Sequence, residues 1–140
     1  GDVYKRQQLL WDFFNMGRLI ASMGFIGTII AIWLAMRVAN MTRESDESNI
    51  VTKILSSAFG LLVLAGTFQT WTIARNNWTN TAGYIQDAGV DTCADPTFCQ
   101  GFIDFVGTTG PVNGPGVLGA AFLAVVALMI LGLVWGPKNN

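Results

Sequence analysis

The side chains whose type and spacing could do chemistry are few: Cys93 and Cys99, and the carboxamide of Gln69 inside a long apolar run. The two cysteines are the only ones in the chain, and Ala-Asp-Pro-Thr-Phe, a turn-forming string, separates them. That spacing suits a disulfide closing a small loop in an oxidising compartment. It is not the Cys-x-x-Cys of a redox-active pair.

Histidine is absent. Membrane haem, chlorophyll and copper sites mostly bind through imidazole, and proton relays use the same ring. Two thiolates leave a zinc or iron–sulfur site at least two ligands short. Asp87, Asp91, Asp95 and Asp104 do not follow the Asp-x-Asp-x-Asp-Gly calcium pattern and read as solvated charges. The sequence has neither a Gly-x-Ser-x-Gly turn nor a phosphate-binding glycine loop. No catalytic residue, metal or cofactor is therefore expected, and the chain does not read as an enzyme.

Gln69 lies among Thr67, Thr70 and Thr72 in a run from Ile54 to Ala74 that contains no charged residue. Two further charge-free runs, Leu19 to Met36 and Pro115 to Pro137, complete a set of three. Each meets or approaches the roughly 20 apolar residues needed to cross the hydrocarbon of a bilayer, and charged residues bound them. With 51% hydrophobic and 12% charged residues in 140, and a mean hydropathy of +0.45, a soluble fold would lack the polar surface to cover itself. The net charge of −1, with no basic block, gives no indication of a nucleic-acid partner. A glutamine held in lipid needs a hydrogen-bonding neighbour, so Gln69, Thr67 and Thr70 are expected to act as packing contacts between helices.

The expected architecture is all-α: an integral membrane protein of one domain over residues 1–140, with transmembrane helices at 18–37, 54–75 and 115–137. Residues 8–17, rich in Leu, Trp and Phe, are expected to form an interfacial helix at headgroup level that runs into the first span. Residues 1–7, GDVYKRQ, resemble an adapter-derived string that opens many translated environmental assemblies, and they are set aside. The polar stretch between the first two spans makes them an antiparallel hairpin. Residues 76–114 form a structured loop holding both cysteines, with short helices expected at Tyr84 to Ala88 and Phe98 to Val106. Asn77-Trp78-Thr79 in this loop fits the glycosylation triplet, for which chance is sufficient explanation.

Small residues mark possible contact lines. Gly17, Ala21, Gly24, Thr28, Ala31 and Ala35 alternate by four and three along the first span, a seam that admits another backbone. Ser56, Gly60, Val63, Thr67, Thr70 and Ala74 form a similar line in the second, and Gly116, Ala120, Ala124 and Ala127 in the third. Trp33, Trp71, Trp78 and Trp135 near the boundaries read as interfacial anchors. Arg37, Arg43, Lys53 and Lys138 fall on one side and, residues 1–7 aside, Arg18 and Arg75 on the other. That places the N-terminus and the cysteine loop outside and the C-terminus in the cytosol of a cell-membrane protein. The expected function is a structural or assembly subunit, partnered by lipids and by other membrane subunits or copies of itself. The alternative is an oligomeric channel, holin-like pore or transporter component with Gln69 and the threonines facing water.

Overall fold

A computed structural model describes residues 2–138. Among these residues the regular elements are all helical: α1 (Asp2–Glu44), α2 (Ile50–Ala88), a short 3-10 turn (Val90–Thr92), α3 (Pro96–Val106) and α4 (Val117–Trp135). Three of them, α1, α2 and α4, are long and apolar enough to cross a membrane.

Local chemistry sets the ends. Asn49 opens α2 by accepting from the Val51 and Thr52 amides, while the Thr52 hydroxyl accepts from the Asn49 amide, a reciprocal capping box. Asp95 accepts from the Phe98 amide and Pro96 takes the first turn of α3, where its missing N–H costs nothing. Gly107 stops α3 in the left-handed region at φ 84°, which a residue with a Cβ adopts only under strain.

At 1.5 Å per residue α1 and α2 are about 65 and 58 Å long, roughly twice the thickness of a bilayer core, whereas α4 at about 28 Å just matches it. The two long helices run antiparallel along their whole length. Trp71 of α2 donates to the Thr28 hydroxyl at 3.1 Å, Asn77 to the Phe14 carbonyl at 3.2 Å, and Gln7 reaches the carbonyl of Thr92 beyond the end of α2. Inside the apolar region, Ile32, Ala35 and Ala39 of α1, Leu64 of α2, and Leu123, Val126, Ile130 and Val134 of α4 form the buried core.

Residues 8–17 continue α1 without a break, and Phe14 is buried against Trp78 of α2 with ring centroids 4.9 Å apart. Two expectations need revision. The helix that carries the second span does not end at Arg75. It continues to Ala88, so the connection begins at Gly89 and Tyr84 to Ala88 is the last turn of α2. In α4 the line Ala120 and Ala124 is exposed, and the large residues Leu123, Val126, Ile130 and Val134 face inward. The gaps they fill are on α2: a Cβ at Gly60 would come within 2.9 Å of Ile130.

Candidate functional site

The polar and aromatic side chains gather in two places, the head formed beyond the apolar spans and the surface of the spans themselves.

In the head, α3 docks on the α1–α2 pair through aromatic rings. Phe102 meets Trp11 at 5.3 Å and Phe14 at 5.4 Å, both edge-on, and stacks on Trp78 at 5.8 Å. Such pairs add about 0.5–1.5 kcal/mol each beyond simple burial. The Arg18 guanidinium sits over Trp78, 5.1 Å from the ring centroid, and is drawn to its negative face. Cys93 and Cys99 lie at disulfide distance, with S–S 2.10 Å, and tie the start of α3 to the turn after α2. Gln7 latches the same turn from α1: its amide nitrogen donates to the Thr92 carbonyl and its oxygen accepts from the Ala94 amide. Beside the disulfide opens a cleft of about 380 Å³ whose floor is Leu10, Trp11, Ile85 and Ala88.

The connection from α3 to α4 is held by α2. Asn76 donates to the Val112 carbonyl at 3.1 Å and accepts from the Val112 amide at 2.8 Å, and Arg75 donates to the Gly114 carbonyl. Asp95 and Asp104 are occupied in helix capping and in a bond from Gln100. Asn77 points inward to Phe14, so the triplet at Asn77 is half-buried.

In the spans, the residues of the α1 seam are the less exposed ones of that helix face. Ala35 is fully buried, Gly17, Ala21, Gly24, Thr28 and Ala31 are half-buried, and Leu19, Ile20, Ile26 and Ile30 between them are exposed. Added Cβ atoms would meet Asn77 at Gly17 and the Thr70 methyl at Gly24, 3.4 Å away. On α2, Thr67 is buried and its hydroxyl donates to the Val63 carbonyl, while Thr70 is half-buried at the contact with α1. Gln69 is exposed. The three polar residues therefore do not share one face: Thr67 and Thr70 turn into the bundle and Gln69 turns away from it.

Tryptophans read as anchors have internal partners. Trp71 is half-buried, stacks against Phe25 and donates to Thr28; Trp135 donates to the Ser57 hydroxyl at 2.8 Å and carries Lys53 over its ring. Trp33 and Trp135 are both exposed, and Trp33 carries Arg37 over its ring. Arg43, read in the sequence only as a charge that sets orientation, has a structural partner. It reaches across to α4 and donates to the carbonyls of Gly132, Leu133, Gly136 and Pro137, satisfying acceptors that the end of a helix leaves open. Its only sequence signal was an arginine in the last turn of an apolar helix.

No family model, no curated protein and no solved structure matches this chain.

Proposed function

We propose that the protein is a structural or assembly subunit of a membrane complex or homo-oligomer, presenting a helical head outside the bilayer. The observation that carries this reading is the α1–α2 pair, which continues unbroken past the apolar spans and is clamped there by α3, the aromatic rings and the Cys93–Cys99 bond. A rigid pair of helices fixes the head relative to the membrane, as a subunit that sets the position of a partner requires. The core of the spans is filled by interdigitating apolar side chains, which suits a scaffold. A disulfide persists outside the cytosol, and the four basic residues Arg37, Arg43, Lys53 and Lys138 lie towards the opposite end. Both favour a head on the extracytoplasmic side of the cell membrane and a cytosolic C-terminus.

The test is the size of the particle extracted from native membranes in mild detergent. An assembly of more than one 15.1 kDa chain, dissociating when the detergent is exchanged for a harsh one, is expected. A particle containing a single chain and lipid alone, at every detergent concentration tried, would overturn the reading.

A further inference from the structure

Gln69 stands on the wrong side of its helix for a residue that must be hydrogen-bonded. It lies nine positions after Gly60, and at 100° per residue that is half a turn around α2 from the contact with Ile130 of α4. It is also exposed where Thr67 is buried and Thr70 meets Gly24 of α1. Among the described residues its carboxamide makes no hydrogen bond with the chain, whereas Thr72 nearby satisfies its hydroxyl on the Phe68 carbonyl. Arg75, the first charge on that side, is six residues or about 9 Å farther along the axis, too far for the short glutamine side chain to follow into the headgroups. An amide left in hydrocarbon with both oxygen and nitrogen unpaired is costly.

We propose that a second copy of this chain covers this face, with the two Gln69 carboxamides paired reciprocally across a twofold axis. This rests on the assembly reading above and names its partner. A carboxamide holds an acceptor and a donor side by side, so two of them exchange two hydrogen bonds, whereas two hydroxyls exchange one and two like charges repel. In a twofold interface the same residue meets its own copy, and one amide then satisfies the other. The flanking positions allow the approach. Ala58, Leu62, Ala65, Gln69 and Thr72 recur by four and three, the spacing of two helices packed at a shallow angle. Gly66 beside them is exposed, and a Cβ there would meet nothing. A single polar residue in an otherwise apolar seam is a known way to fix register and copy number.

The experiment places one cysteine in the full chain in native membranes and oxidises it, the native pair being already bonded to each other. Ala65→Cys, one turn from Gln69 on the same face, should give a disulfide-linked dimer. Val125→Cys, which is 55% exposed on α4, should not. Adding Gln69→Leu to Ala65→Cys should weaken dimerisation by about tenfold, and Gln69→Asn, which keeps the carboxamide, should retain most of it. Equal cross-linking at Ala65 and Val125, or a dimer indifferent to Gln69→Leu, would overturn the proposal. No cross-link at Ala65, in a protein that still extracts as a larger particle, would refute the twofold pairing and leave the assembly reading standing. No cross-link in a protein that extracts as a single chain would refute both.

Discussion

At the scale of single residues, the glycines show where contact matters. Gly60 and Gly66 lie on one helix and differ only in what surrounds them. A methyl group at Gly60 would press on Ile130 at 2.9 Å, whereas at Gly66 there is open space. Gly60→Ala is therefore expected to destabilise the bundle by about 1–3 kcal/mol, because Ile130 must leave its position in a filled core. Gly66→Ala is expected to be neutral or slightly stabilising, since alanine is the better helix former by up to about 1 kcal/mol. Thermal unfolding of both variants in the same mild detergent checks this. Equal losses would mean that α4 does not pack on α2 through Gly60. The sequence marked Gly60 as one member of a small-residue line, but not what fills it, because a gap and its filler lie on different helices.

At the scale of elements, the three charge-free runs were legible because lipid demands them. Two further features were not. Asn76, Asn77, Thr79, Asn80 and Thr81 have poor helix propensity and read as loop, yet α2 runs through them. Tertiary contacts override propensity here. Thr79 and Thr81 are buried and bond back to the Asn76 and Asn77 carbonyls, Asn76 and Asn77 bond outside the helix, and Ala82 and Ile85 are buried beyond them. The cysteine pair was legible from its isolation in one polar segment. What it clamps was not, since Trp11 and Phe14 come from the other end of the chain. Closing a loop this short contributes about 2 kcal/mol through the unfolded state. Replacing both cysteines by serine is expected to raise amide exchange in α3 and the turn before it, leaving the apolar parts of α1, α2 and α4 protected. Hydrogen exchange read by mass spectrometry distinguishes the two regions. Loss of protection throughout would mean that the head and the spans unfold as one unit.

At the scale of the whole molecule, the head and the membrane region are built from the same two helices. Residues 8–17 carry α1 into the head, where Trp11 meets α3 and Phe14 meets α2, partners that the composition of this stretch did not name. A distance between two spin labels in α1, one at Leu9 and one at Met41, measured in lipid nanodiscs, tests this most directly. Both sites are exposed, at 53% and 59%, so the labels disturb no contact. A helix continuous from head to turn puts the two sites roughly 48 Å apart. A chain that bends at Arg18 to lie along the membrane surface brings them to roughly 37 Å, and that result would contradict the continuous hairpin on which the head is carried.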